Sequence, residues 1–360
     1  MTASRRLLIA AAGSGGHIYP GLAVARAFAD LGPSEIRFVG TAKGLEGRLV
    51  PRHGFPLELV DVPPIRGRSP AVLPRTSLRL LRSIRQMRKL LKEFRPDAVF
   101  GTGGSVSGVA VFAARLLGIP SLILEPNAEP GFATRWSAPF ATEVAVAWEA
   151  TRRYFGRPAL VAGIPVRREF SGVGPPPGNN GTVSVLVTGG SQGASRLNRL
   201  VVDSLPALRE RSGHLRITHQ TGSAEEARVR DAYRDAGLGA RVVAYLDDMP
   251  QEMAAADLVV GRAGAITCAE LMAAGRPGIL VPAPVAGGHQ RQNAAALAEA
   301  GAALTMDEGA SGTEFARSLC SLLDDPSRRA DMSSAARQLV RDRPAERLAA
   351  RLHDLAGGSA

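Results

Sequence analysis

The chain has 360 residues, 45% hydrophobic and 21% charged, enough for two domains that each bury a sizeable core. Its two cysteines, Cys268 and Cys320, exclude a disulfide framework and a thiolate metal site, and they suit a reducing compartment. The net charge of +11 sits in the first half: residues 1–170 hold 24 Lys and Arg against 12 Asp and Glu, whereas residues 171–360 hold 20 against 21.

Arg5 and Arg6 precede a short apolar run that superficially resembles a secretion signal. The run passes straight into "GSGGH", residues 13–17, so a buried first strand fits it better. Apolar runs of strand length follow at 6–12, 35–40, 57–61, 97–100, 120–125, 143–147 and 158–162, alternating with segments of helix length. Between the third and fourth runs, residues 66–95 carry ten basic side chains and one acid, Glu93. The apolar positions Leu78, Leu81, Ile84, Met87, Leu91 and Phe94 recur there at helical spacing. Two readings stay open for this helix. It packs an apolar face on the core and shows charge to water, or Val72, Leu73 and the helix start, with Arg79, Arg82 and Arg85, lie against an anionic bilayer. With Phe94 as its one aromatic residue, the segment lacks the stacking platform of a nucleic-acid binder. The longest apolar stretch, 106–124, is broken by Arg115 and Pro120, and no membrane span is predicted.

"SGVGPPPGNNG", residues 171–181, reads as a linker that is neither helix nor strand. Beyond it "TVSVLVTGGSQGASRLNRLV" repeats the opening device of strand, glycine turn and helix. Strand runs at 182–188, 214–219, 240–245, 257–261, 278–283 and 302–305 complete a second alternating half. Two doubly wound α/β domains with parallel sheets are predicted: residues 1–165, a linker at 166–181, and residues 182–340. A final helix at 341–360 is expected to pack back on the first domain. Four glycine turns, 13–17, 101–105, 189–193 and 261–265, would lie at the carboxyl ends of strands, in a cleft between the domains.

The chemistry narrows by elimination. For a nicotinamide enzyme, the first turn has Ile18 at the last glycine position, and "RFVGTAKG" lacks the acid expected after the second strand. "GGSQG" matches a nucleophile elbow around Ser191, with Asp257 and His289 following in the right order, but it opens a second domain instead of lying within one sheet. The six histidines form no H-E-x-x-H pattern, His214 and His219 flank a strand as structural residues, and no D-x-D triplet exists; no metal is expected.

Ten stretches then occur in a telling order: "GSGGHIYPGLAVA", "FVGTAKGLEGRLVP", "GTGGSVSG", "EPNAEPG", "GIPVR", "TGGSQGASRLN", "HQTG", "YLDDM", "RAGAITCAE" and "GHQRQNA". From Leu7 to about Leu355 the chain resembles the MurG family within glycosyltransferase family 28. The resemblance implies a GT-B fold and inverting, metal-independent transfer of N-acetylglucosamine from UDP-GlcNAc to lipid-linked muramyl pentapeptide (lipid I), giving lipid II of peptidoglycan. It implies no cofactor, peripheral attachment to the cytoplasmic face of the inner membrane, and partners among cell-wall synthesis and division proteins. A related GT-B enzyme that uses a nucleotide sugar on another lipid or natural product is the alternative.

By the same resemblance Ser14, Gly15, Gly16, Asn127, Arg167, Ser191, Leu246, Ala265, Ile266, Thr267, Cys268, Ala269, Glu270 and Gln290 bind UDP-GlcNAc. Amides at Ala265–Thr267 would cradle the diphosphate, Glu270 the ribose, Leu246 the uracil and Gln290 the sugar hydroxyls. Three positions depart from the family's pattern: Ser105 stands for tyrosine, Pro126 for glutamine and Ile164 for asparagine. His17 is the candidate base, since imidazole is the side chain that takes protons near neutral pH. Glu125 is the other candidate base, or the group that orients His17.

Overall fold

The computed structural model describes residues 4–63, 73–178, 181–190, 193–284 and 288–358. The chain divides into two compact units, Met1–Arg167 with Arg341–Ala360, and Arg168–Val340.

In the first unit the elements are β1 (Arg5–Ala10), α1 (Gly15–Ala29), β2 (Ser34–Gly40), α2 (Glu46–Arg52), β3 (Leu57–Leu59), α3 (Leu73–Phe94), β4 (Ala98–Gly101), α4 (Gly104–Arg115), β5 (Ser121–Glu125), α5 (Phe132–Ser137), β6 (Glu143–Val146) and β7 (Ala159–Val161). All seven strands are parallel, in the order β3-β2-β1-β4-β5-β6-β7. Successive residues of β1 serve opposite faces: Leu7 and Ile9 enter one core cluster, Leu8 and Ala10 another. Burial on both faces explains the near-continuous apolar runs read from the sequence.

The second unit holds β8 (Val183–Thr188), α6 (Ser195–Leu208), β9 (Leu215–Gln220), α7 (Glu226–Asp235), β10 (Ala240–Val243), α8 (Met249–Ala254), β11 (Leu258–Gly261), α9 (Ala265–Ala274), β12 (Gly278–Leu280), α10 (His289–Glu299), β13 (Ala303–Thr305), α11 (Gly312–Leu323) and α12 (Pro326–Gln338). Its six strands are also parallel, in the order β10-β9-β8-β11-β12-β13. The last helix, α13 (Pro344–Gly357), returns to the first unit. There Leu348, Ala349 and Leu352 join the core beside α1, and Arg351 pairs with Glu143.

In each sheet the chain reverses direction across two central strands, β1 and β4 in one, β8 and β11 in the other. Such switch points open a crevice at the carboxyl ends of the strands. The four glycine turns follow these four strands, so they fall as two pairs, one pair to each unit.

Three expectations are corrected. Residues 171 and 172 are not irregular, because Arg168–Gly172 forms a 3-10 turn with Phe170 buried. The next residue but one is also held: Arg276 Nη1 and Arg337 Nη2 donate to the Gly174 carbonyl at 3.1 and 2.9 Å. In α3, Met87, Leu91 and Phe94 are buried but Leu78 and Leu81 are 54% and 52% exposed. Steps of three residues fall about 60° short of a full helical turn, so three steps carry Leu78 to the side opposite Met87.

Lastly, His219 lies inside β9 and wholly buried, not beside the strand. Its Nε2–H donates to Asn198 Oδ1, and Nδ1 accepts from the Tyr233 hydroxyl, both at 3.1 Å. Asn198 Nδ2 in turn donates to the Thr221 carbonyl at 3.0 Å and to Glu225 Oε2 at 2.9 Å.

Burial, with the Arg228 charge, pushes the His219 imidazole down from 6.5 to about 3. The unfolded chain therefore binds the extra proton first, so this contribution is complete above 6.5 and lost as pH falls toward 3. Between pH 6.5 and pH 5 the stability advantage of wild type over His219→Gln should shrink by about 2 kcal/mol, at about 1.4 kcal/mol per unit. Urea denaturation at the two pH values measures this, and a constant difference would contradict it.

Candidate functional site

In the first unit the site is built at the carboxyl ends of β1, β4 and β5. Ser14 caps α1 in extended backbone without a side-chain bond, and its carbonyl accepts from His17 N at 3.1 Å. His17 thus stands in the first turn of α1, with Gly15 and Gly16 ahead of it. Its Nδ1 lies 2.8 Å from the Thr102 carbonyl. A carbonyl can only accept, so Nδ1 carries the hydrogen and Nε2 keeps the lone pair.

The turn after β4 is the bed for this ring. Gly103 and Gly104 have φ of +98° and +78°, and a Cβ on them would stand 3.1 Å from His17 Cε1 and 3.5 Å from Nε2. Glycine is needed at 103 both for its backbone and for the close approach of imidazole.

Glu125 does not do what the sequence suggested. The group that meets His17 Nδ1 is the Thr102 carbonyl. Glu125 is buried, its Oε1 accepting from Asn127 N at 3.0 Å and Nδ2 at 2.8 Å, its Oε2 from Gly131 N at 2.9 Å. It is the anchor of the loop from β5 to α5, and Asn127 is part of that loop. With its oxygens taken up inside its own loop, Glu125 is not the group that meets His17 Nδ1.

Arg167 stacks its guanidinium 4.6 Å from the centroid of the Tyr19 ring. The same ring fills the space beside Gly15, where a Cβ would meet it at 3.1 Å. Tyr19, passed over in the sequence, therefore brings Arg167 to the start of α1. Pro126 and Ile164 are buried, and Ser105 is half-buried in the first turn of α4.

In the second unit the corresponding ends are those of β8, β9, β10 and β11. α9 starts at Ala265 after Gly264, and its first internal bond runs from Cys268 N to the Gly264 carbonyl at 2.9 Å. The amides of Ala265, Ile266 and Thr267 have no partner within the helix, which leaves them to an anion. Glu270 sits on the next turn, buried. Cys268 and Ala269 stand between these amides and Glu270. Both are buried, the Cys268 amide closes the helix, and burial pushes its thiol up to about 12.

Leu246 is buried in the loop between β10 and α8. Gln290 stands in the first turn of α10, its Oε1 accepting from Ala283 N at 2.9 Å. Ser191 lies outside the described residues. The glycines around it pack tightly: a Cβ on Gly193 would lie 2.1 Å from the Thr221 carbonyl, and one on Gly189 2.5 Å from Ala194 N.

Two buried amides went unread in the sequence. Gln220, at the end of β9, donates from Nε2 to the carbonyls of Gly190 at 2.7 Å and Ala244 at 3.3 Å, and accepts from Thr188 Oγ1 at 2.8 Å. It staples the glycine turn to the loop that leads to Leu246. Asn293 on α10 donates to the Ala263 carbonyl at 3.1 Å and joins the helix of Gln290 to the approach of α9. Among the described residues no group of three His, Cys, Asp or Glu is placed to hold a metal ion.

Residues 7–146 match the glycosyltransferase family 28 N-terminal domain, and residues 184–350 match the glycosyltransferase family 28 C-terminal domain. The chain belongs to glycosyltransferase family 28. It is 41% identical over 344 residues to the UDP-N-acetylglucosamine--N-acetylmuramyl-(pentapeptide) pyrophosphoryl-undecaprenol N-acetylglucosamine transferase of Geobacter sulfurreducens, covering 93% of this chain and 94% of that one. The protein of the same name from Anaeromyxobacter sp. is 39% identical over 349 residues, covering 96% and 91%. Among solved structures, Acinetobacter baumannii MurG has a TM-score of 0.81 at 29% identity, covering 98% of this chain and all of its own. The glycosyltransferase SnogD from Streptomyces nogalater, at 20% identity and a TM-score of 0.64 over 98% of this chain and 100% of its own, shares the fold.

Within this family 28 chain, two glycine substitutions separate backbone strain from displacement of the histidine. Gly118 has φ of +70° with nothing near its Cβ position, so Gly118→Ala should lose about 1 kcal/mol through backbone strain alone. Gly103, at φ 98° and ψ 174°, lies in a backbone region that is essentially reserved for glycine, so Gly103→Ala meets that strain and also the His17 ring. It should cost about 1–3 kcal/mol and lower sugar-transfer turnover, whereas Gly118→Ala leaves turnover unchanged. Denaturation midpoints with steady-state rates measure both, and equal turnover in the two variants would contradict the account.

Proposed function

We propose that this protein transfers N-acetylglucosamine from UDP-GlcNAc to the 4-hydroxyl of undecaprenyl-diphospho-MurNAc-pentapeptide, forming lipid II for peptidoglycan. The observation that carries the reading is the identity of 41% across 93% of the chain with an enzyme that bears this activity in its name. The geometry agrees with the chemistry such a transfer needs.

The reaction replaces the bond from the anomeric carbon to UDP with a bond to the acceptor oxygen, with inversion. His17 Nε2 takes the acceptor hydroxyl's proton as that oxygen attacks, and the Thr102 carbonyl on Nδ1 supports the imidazolium that forms. The leaving diphosphate gathers negative charge, which the amides at Ala265–Thr267 and the positive end of α9 stabilise. Glu270 accepts from the ribose hydroxyls, the backbone at Leu246 meets the uracil, and Gln290 holds the sugar. Ser14, Gly15, Gly16, Asn127 and Arg167 help to bind UDP-GlcNAc, and Ser191 serves the diphosphate.

No described helix is long and apolar enough to cross a membrane. We place the protein peripherally on the cytoplasmic face of the inner membrane, through the start of α3. Leu78 and Leu81 are exposed there beside exposed Arg79, Arg82 and Arg85, a mixed apolar and basic surface suited to anionic lipid. Arg79 is shared with Asp61 at 3.4 Å. Val72 lies outside the described residues, and Leu73 opens the helix.

The test of the activity is UDP release from UDP-GlcNAc with and without a lipid I analogue. Release should depend on that acceptor and survive EDTA, whereas release with an unrelated lipid or natural product alone would move the enzyme elsewhere in the GT-B group. Glu270→Ala should raise the KM for UDP-GlcNAc about tenfold or more, for a loss of about 1.5–3 kcal/mol from a charged acceptor. An unchanged KM in the folded variant would place the ribose elsewhere.

For attachment, Leu78→Ser with Arg82→Glu and Arg85→Glu should release the protein from vesicles containing phosphatidylglycerol, each lost cation removing about 1 kcal/mol. Transfer to a soluble acceptor should persist. Sedimentation that ignores both the substitutions and high salt would contradict the surface assignment.

A further inference from the structure

The corner between β1 and β2 holds a carboxylate that the transfer reaction does not use. Glu46, the first residue of α2, is completely buried. Among the described residues it has no ion pair, although burying an uncompensated carboxylate is costly. Three donors surround it instead. Oε1 accepts from Thr41 N at 2.7 Å and Thr41 Oγ1 at 2.8 Å, and Oε2 accepts from Gly13 N at 2.9 Å.

The backbone makes room for this side chain. A Cβ on Gly40 would fall 2.5 Å from Glu46 Cγ, and one on Gly44 would fall 1.8 Å from Oε2. From the same segment, Leu45 N donates to the Gly13 carbonyl at 3.0 Å. Gly13 is therefore gripped on both sides, its N–H by the carboxylate and its C=O by the Leu45 amide.

Gly13, with φ of +94°, begins the turn that leads through Ser14, Gly15 and Gly16 to His17. Three glycines in five residues give that turn little stiffness of its own. The His17 ring is held from the other side by the Thr102 carbonyl. A ring fixed at one end by a single hydrogen bond needs its backbone fixed as well if Nε2 is to keep its aim.

We infer that Glu46 is a positioning residue for His17, acting through Gly13, and the inference rests on the transferase reading above. It also accounts for the missing dinucleotide acid. A carboxylate does stand beside the end of β2, but it turns inward to the glycine turn and is closed to a ribose.

The test compares Glu46→Gln with Glu143→Gln, which breaks the Glu143–Arg351 pair at the opposite end of the sheet. The amide of Glu46→Gln can satisfy Thr41 or Gly13 but not both, because its NH2 would face another donor. At a temperature where both variants are folded, Glu46→Gln should lose about 10–100-fold in kcat, with the KM for UDP-GlcNAc within about twofold. Nitrogen-15 spectra of its histidines should show His17 leaving the Nδ1–H tautomer. Glu143→Gln should lower the Tm and change neither. If Glu46→Gln lowers only the Tm, or raises KM at unchanged kcat, Glu46 is structural and the inference fails.

Amide exchange in the wild-type protein provides an independent check that needs neither a folded variant nor turnover. Gly13 should be protected like the β1 strand while Gly15 and Gly16 exchange freely, and fast exchange at Gly13 would also overturn the inference. Wild-type protein inactive on lipid I, with Gly13 protected and His17 in the Nδ1–H form, would instead fail the transferase reading and leave the grip of Glu46 on the turn standing.

Discussion

The hydrogen bond from His17 Nδ1 to the Thr102 carbonyl, 2.8 Å long, decides which nitrogen of the imidazole can take a proton. Everything around it in the first unit is arranged to permit it. β1 and β4 must be neighbours for residue 17 and residue 102 to meet, and they are neighbours because the sheet changes direction there. Gly103 and Gly104 must lack side chains for the ring to lie against the turn. Ala10 holds the two strand ends together, its carbonyl accepting from Thr102 N at 3.2 Å, Thr102 Oγ1 at 3.2 Å and Ser107 Oγ at 2.7 Å. The catalytic proposal is thus a consequence of sheet topology as much as of one side chain.

The second unit uses the same topology for a different purpose. At its switch point the helix start after β11 leaves the amides of Ala265, Ile266 and Thr267 without partners inside the helix. Buried side-chain amides, which carry no charge, fix the loops of this unit. Gln220 ties two loops together and Asn293 ties a third to α10. An amide both donates and accepts, so it can join carbonyls without adding charge to the site proposed for the diphosphate. On the proposed reading, one fold supplies a base in one unit and an anion cradle in the other.

Much of this was legible in the sequence because parallel strands buried on both faces leave continuous apolar runs, and all 13 runs proved to be strands. The glycine turns and His17 were legible for a related reason, since glycine in such places reports a close approach. What approaches could not be read. At Gly103 it is the ring of His17, whose partner lies 85 residues away. Glu125 looked like a second base, or the group that orients His17, because it stands in a motif, and only the three donors around it reveal an anchor. Glu46 and Gln220 were invisible for the same cause, their work being long-range hydrogen bonding. In α3 the spacing announced a helix but not its inward face, which i+3 steps alone cannot fix.

The central claim is that His17 Nε2 removes the acceptor proton, and the pH dependence of single-turnover transfer tests it most directly. With UDP-GlcNAc and lipid I analogue saturating, the wild-type rate should fall as pH is lowered, because protonation fills the Nε2 lone pair. His17→Ala should be slower by about 10²–10⁴ at neutral pH and should lose that acid limb. A variant that retains the limb, or turns over at the wild-type rate, would show that another group takes the proton and that His17 is held in its glycine bed for structure alone.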